Sequence, residues 1–271
     1  MLTLAYAGAA ALYLAATIRY VRQFVRARPG GSKVASALLL AGVLLHTTGV
    51  LLYWARFHEL PLVGLGPSLA TLALLIALAL LGLELFSSAR AVCLIATPIA
   101  FIVLLAALLT GIDPAGSVTT FKGPWLALHV SLSFLGYAGW VVAAASGLMY
   151  LLEFRELKHK RLGSVFRFFP SLESLDQLSE VSLAAGFFAL TLGIMLGMAW
   201  VLRFEPNSLW GDLKVAWGLV SWVLMLAALW MRFGGRRTSR EAAFWSVGGF
   251  GLVFLTYLVA KLIAPEARFF L

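Results

Sequence analysis

The sequence predicts an all-α integral membrane protein, a bundle of about eight transmembrane helices with both termini on the outer side. Three observations carry that prediction. Of 271 residues, 62% are hydrophobic and only 12% charged, where a soluble domain carries about half apolar and about a quarter charged. Mean hydropathy is +0.94. The apolar residues also fall in runs near the roughly 20 residues that a helix needs to cross a bilayer core. An ordinary soluble enzyme, a disordered segment and a disulfide-rich secreted module are all excluded by this balance.

Taken in order, the runs are 2–18, 34–54, 67–86, 91–110, 125–152, 181–202, 215–231 and 243–263. The first, Leu2–Ile18, has no basic segment ahead of it; its arginines follow it, so it is expected to stay as a span rather than be cleaved. The single cysteine, Cys93, sits in the fourth run and has no partner for an internal disulfide. The longest polar stretch, 153–180, interleaves Leu157, Leu162, Val165, Phe166, Phe168 and Phe169 with Arg155, Lys158, Lys160, Arg161 and Arg167. That pattern predicts an amphipathic inner loop lying in the interface plane. Glu173, Asp176 and Glu180 close it and are expected to face solvent or a partner. No soluble domain fits between the runs, so residues 1–271 form one polytopic membrane domain. Gly136 with Gly139, Gly193-x-x-x-Gly197, and Gly248, Gly249 and Gly251 are expected to let helices approach closely.

A formal charge of +9 would suggest nucleic acid in a soluble protein; here it reports topology. With the N-terminus outside, fifteen of the 21 Lys and Arg fall on inner connections: Arg19–Lys33, Arg90, Arg155–Arg167 and Arg232–Arg240. Basic inner loops satisfy the positive-inside rule and meet anionic membrane lipid, so no nucleic acid is required. Only Arg56, Lys122, Arg203, Lys214, Lys261 and Arg268 remain outside.

Ionisable groups inside a membrane are functional candidates, and few exist. Glu84 falls near an inner helix end, where headgroup water is expected to meet it. Of four histidines, His159 lies in the basic inner loop. His46 in the second run, His58 just beyond it, and His129 at the outer start of the fifth gather in the outer half. Along a continuous helix His46 and His58 stand about 18 Å apart, so a pair on one iron must include His129 or a bent chain. Trp125, Trp200 and Trp210 suit an interfacial belt, whereas Trp217 and Trp222 lie progressively deeper. A planar macrocycle with two carboxylates needs an imidazole for its metal, aromatic walls and cations. His58 or His129, the tryptophans, and Arg56, Lys122, Arg203 or Lys214 would supply these from one side.

Specific strings sharpen this. Trp125-Leu-Ala-Leu-His129-Val-Ser131-Leu-Ser-Phe-Leu-Gly136-Tyr137-Ala138 resembles the first outer-face histidine segment of the CcsA-type cytochrome c assembly proteins. Phe57-His58-Glu-Leu-Pro61 through Pro67-Ser68-Leu69 resembles their histidine-and-proline segment. Trp210-Gly-Asp212-Leu-Lys214-Val-Ala-Trp217-Gly-Leu-Val-Ser221-Trp222 resembles a reduced form of their tryptophan-rich signature. The likeness spans about 34–260, and its reduced signature and size resemble the HemX-like branch. It implies a haem-gripping role for His129, an iron-ligand role for His58, and a haem platform from Trp210, Asp212, Lys214, Trp217 and Trp222. Two family positions differ. No histidine follows the tryptophan region in 262–271, and the second membrane-embedded histidine falls on Trp230.

Together these readings predict a bacterial inner (plasma) membrane protein that holds or presents non-covalent haem b near the outer face, serving cytochrome c assembly or haem homeostasis. It is a carrier or assembly factor rather than a catalyst. His129 and His58 are the expected iron ligands, with His46 in reserve and Arg56 beside them. The alternative is a membrane scaffold or regulator, contacting a cytochrome c assembly subunit or a haem-synthesis enzyme through 153–180.

Overall fold

The structure is a computed structural model and describes residues 1–26, 33–87, 90–114, 123–160, 163, 168–204, 213–234 and 238–263. These residues form α1 (Leu2–Val25), α2 (Lys33–Phe57), α3 (Leu65–Phe86), a 3-10 turn (Arg90–Val92), α4 (Cys93–Thr110), α5 (Pro124–Lys158), α6 (Leu172–Phe204), α7 (Leu213–Phe233) and α8 (Ser239–Ile263). Seven helical segments, α1 to α6 and Val215–Phe233 of α7, are long and apolar enough to cross a membrane. The eighth expected run, 243–263, falls within α8, whose side chains are described only to residue 256. The chain is an all-α, multi-pass membrane protein, as its apolar runs predict.

Local chemistry sets several boundaries. Pro124 opens α5 in its first turn, where its missing N–H costs nothing. The Ser171 hydroxyl accepts from the Ser174 amide at the start of α6. Thr238 and Glu241 cap α8 reciprocally: the Thr238 amide donates to the Glu241 carboxylate at 3.2 Å, and the Glu241 amide to the Thr238 hydroxyl at 3.4 Å.

Of the stretch expected as an interfacial loop, 153–180, both described ends are helix. Its first residues prolong α5 to Lys158 and its last begin α6 at Leu172. Charged residues are compatible with helix once the chain has left the apolar layer, so polarity alone does not end one. Nor do its acidic residues all face outward. Arg232 at the end of α7 donates to the Asp176 carboxylate at 2.7 Å and to the Ser179 hydroxyl at 3.2 Å, with Glu180 3.7 Å away. Phe24 of α1 meets Phe168 and Phe169, with ring centroids at 5.4 and 5.9 Å.

Packing divides the buried side chains into two groups. One joins α1 to α4 with the middle of α5. The other gathers Trp140, Leu183, Leu190, Met225, Leu229 and Val253 among α5, α6, α7 and α8. Helix α5 belongs to both and is most intimately packed on α6. A β-carbon built on Gly136 would lie 2.7 Å from Leu190 Cβ, and one on Gly139 would lie 2.8 Å from the Ser182 carbonyl oxygen. These glycines, with Gly193 and Gly197, hold the close approach their spacing predicts. In α8 only Gly249 does so, against Trp140; Gly248 and Gly251 have nothing within 4 Å.

The tightest approach joins α3 to the end of α4. A β-carbon on Gly66 would fall 1.7 Å from the Gly111 carbonyl oxygen and 3.0 Å from that of Ala107. Backbone cannot yield as a side-chain tip does. Gly66→Ala is therefore expected to lower the thermal unfolding midpoint of the detergent-purified protein sharply. The cost lies at or above the roughly 1–3 kcal/mol typical of overpacking; an unchanged midpoint would refute this contact.

Glu84 differs from its expectation. It is buried, and accepts from the Tyr20 hydroxyl at 2.5 Å and the Ser36 hydroxyl at 2.7 Å. Helices α1 and α2 close over it, so donors from the protein replace headgroup water.

Candidate functional site

Partner contacts along α5 and α6 fix the two helices as antiparallel. Trp125 lies against Leu196, His129 against Gly193 and Gly197, and Ser133 against Gly193, down to Ser179 against Ala143. The end carrying His129 is also the end of α2 and α6 that bears Arg56 and Arg203. The opposite end, with Arg22, Lys33, Arg90, Arg155, Lys158 and Arg240, is the basic end.

His129 occupies a shaped seat. Its Nδ1 lies 2.7 Å from the Gly193 carbonyl oxygen. A carbonyl only accepts, so in the neutral imidazole Nδ1 carries the proton and Nε2 is the basic nitrogen. That is the tautomer in which Nε2 can bind a metal, oriented by a backbone carbonyl behind it. The ring lies against the bare Cα of Gly197, where an added β-carbon would come 2.7 Å from Cε1 and 2.9 Å from Nδ1. His129 remains half-buried. The Gly-x-x-x-Gly motif, whose spacing suggested packing alone, thus supplies both the acceptor and the space for the ring.

Aromatic rings flank this seat. Trp125 donates its Nε1–H to the Leu196 carbonyl at 2.9 Å, and its ring lies 6.3 Å from Trp200. Trp200 lies 4.3 Å from Phe204, and the Arg203 guanidinium stands over the Phe204 ring at 5.8 Å. Trp125 and Trp200 read in the sequence as belt residues; only the antiparallel register shows that they bracket His129.

The other expected site residues are spread out. Trp217 packs on Tyr137 at 5.3 Å, and Tyr137 is eight residues, or about 12 Å, along α5 from His129. Trp222 is deeper still. Its ring meets Phe187 at 5.4 Å and its Nε1–H donates to Thr191 Oγ1 at 2.9 Å. Both tryptophans join α7 to the core shared by α5 and α6. Trp210 and Asp212 lie outside the described residues, and Lys214 is described only as part of the first turn of α7.

His58 ends α2 in a left-handed conformation, φ 57°, its amide still bonded to the Trp54 carbonyl at 2.8 Å. It is exposed, beside Arg56, whose guanidinium stands 5.0 Å from the Phe57 ring centroid. His46 is fully buried between α1, α2 and α3, and shares a 3.2 Å hydrogen bond through Nδ1 with the Tyr13 hydroxyl. Helix α2 packs on α1 and α3, whereas α5 packs on α6, α8 and α3. The three histidines therefore share one half of the bundle without sharing one cluster. Among the described residues, no group of three or more His, Cys, Asp or Glu could hold a metal ion.

Comparison with known proteins places the chain. Three similar proteins each bear the name "Cytochrome c biogenesis protein CcsA". That of Prochlorococcus marinus (strain MIT 9303) is 28% identical over 270 residues, covering 86% of this chain and 83% of the relative. That of Synechococcus sp. (strain CC9605) is 27% identical over 291 residues, covering 96% and 93%. That of Guillardia theta is 30% identical over 161 residues, about half of each chain at 52%. The family model described as "Cytochrome C assembly protein" matches residues 32–265, from the start of α2 to the end of α8, and the chain belongs to that family.

Proposed function

We propose that this protein takes part in cytochrome c assembly by holding haem b non-covalently at the His129 end of the bundle, in the plasma membrane of a bacterium. The observation that carries the reading is the His129 seat: an imidazole whose tautomer is set by the Gly193 carbonyl, flanked by Trp125 and Trp200. Family membership supports the assembly role.

The residues present fit the group chemically. His129 offers a basic Nε2, the tryptophans offer apolar faces, and Arg203 with Arg56 offers cations at the same end of the bundle. When bound, haem is the cargo to be attached to an apocytochrome. The chain's part is to present one imidazole at fixed orientation and to screen that site with indole rings. His58, exposed at the same end of the bundle, is the candidate second ligand on the sequence resemblance. Tyr13 takes up Nδ1 of His46 and Tyr6 packs its ring, so we assign His46 no part in holding haem. Lys214, Trp210 and Asp212 are assigned to the rim on sequence alone, Trp217 and Trp222 to its support.

We place the His129 end outside and the basic end inside, with both termini outside, because fifteen of 21 cations then lie on the inner side. The test is spectroscopic. Protein made under haem-replete growth and purified in detergent is expected to carry a Soret band that shifts on dithionite reduction. A haem-free preparation would overturn the proposal. In that case the scaffold reading predicts that a partner captured from cells is lost when 153–180 is replaced.

A further inference from the structure

The seam between α1 and α2 is built from rings and notches. Tyr6, Tyr13 and Tyr20 recur every seven residues and are buried, which places them on one stripe of α1. Facing them on α2 are Gly42, His46, Gly49 and Tyr53, at spacings of four, three and four. The Tyr13 ring fills the place of a Gly42 side chain, 2.6 Å from where its β-carbon would be, and Tyr6 does the same at Gly49 at 3.3 Å. His46 sits between the two rings, with Tyr6 edge-on at 5.3 Å and Tyr13 tilted at 6.0 Å.

The polar atoms of this seam fall into two kinds. Towards the basic end all are paired: Tyr20 and Ser36 donate to Glu84, and Tyr13 is bonded to His46 Nδ1. Towards the His129 end three are not. Tyr6 Oη, His46 Nε2 and Tyr53 Oη are buried without a hydrogen-bond partner. His46 also approaches the Ala70 backbone of α3. A polar atom left unpaired in an apolar interior is costly, and here there are three, His46 and Tyr53 two turns apart on α2 and Tyr6 facing them from α1. Buried polar groups left over by the protein are ordinarily completed by ordered water making two to four hydrogen bonds. Tyr6 lies at the level of Gly49, one helical turn from Tyr53 on α2.

We propose that Tyr6, His46 and Tyr53 form an internal water site. Water there accepts from the two phenols and pairs with His46 Nε2 as donor or acceptor, whichever its tautomer requires. The site is separate from the His129 seat and gives His46 a role independent of haem.

X-ray radiolytic labelling of the full-length protein in detergent tests this, because hydroxyl radicals formed from bound water mark adjacent side chains regardless of bulk exposure. Trp140 is the control: equally buried, and with its Nε1 bonded to the Ser246 carbonyl at 3.2 Å. Tyr6 and Tyr53 are expected to label several-fold faster than Trp140. Rates equal to or below Trp140 would overturn the site. Thermal midpoints of Tyr6→Phe and Tyr53→Phe give a second reading. Hydrated hydroxyls predict a fall of a few degrees, whereas dry, unpaired hydroxyls predict a rise, and a rise would also overturn the proposal.

Discussion

His129→Ala is expected to leave a folded protein with haem at background and no Soret band. The fold survives because the change removes one imidazole-to-carbonyl hydrogen bond, a net contribution of about 1 kcal/mol, from a pair of helices that also meet closely at Gly136, Gly139, Gly186 and Gly193. The haem does not survive, because no other imidazole shares the α5–α6 seat. Added imidazole gives a sharper readout than loss alone. If His129 binds iron, free imidazole occupying the vacated space is expected to restore part of the Soret band. If His129 merely supports the helix pair, imidazole restores nothing. A variant that keeps wild-type haem content would remove His129 from the site.

Gly197→Ala is expected to lose haem while keeping His129. Its new β-carbon would lie 2.7 Å from the imidazole Cε1, inside any normal contact, so the ring must move. That movement strains the 2.7 Å bond to Gly193 that sets the tautomer. Losses of roughly 10- to 100-fold in metal affinity are typical when the groups orienting a ligand histidine are disturbed, and a loss of that size in haem retention is expected here. Gly218→Ala is the matched control, since nothing lies within 4 Å of its added carbon. Equal haem content in the two variants would show that the seat does not orient the ring.

The helices were legible because a bilayer demands long apolar runs: α2 to α4 end within three residues of where hydropathy changes, whereas α1 runs on to Val25, seven residues past Ile18. The ends of α5 and α6 were not, since hydropathy marks where a chain leaves the membrane and says nothing about where its helix stops. The candidate histidines were legible as types; their neighbours were not. Gly193 and Gly197 announce close approach, yet whether the approaching group is an alkyl chain or an imidazole depends on the register of α5 across from them. Glu84 misled for the same reason, because its donors come from Tyr20 and Ser36, 64 and 48 residues away. Trp217 and Trp222 read as a platform in a linear string; that they pack on Tyr137 and Phe187 is set by the register of α7, which the string does not show.

The ring-and-notch seam has a mechanical consequence. Two tyrosines and two glycines at a common interval work like a vernier. A slip of one helical turn, about 5.4 Å, would drive each ring onto a residue that has a side chain, so α1 and α2 cannot creep past one another. Any rearrangement of the bundle must therefore carry α1 and α2 together.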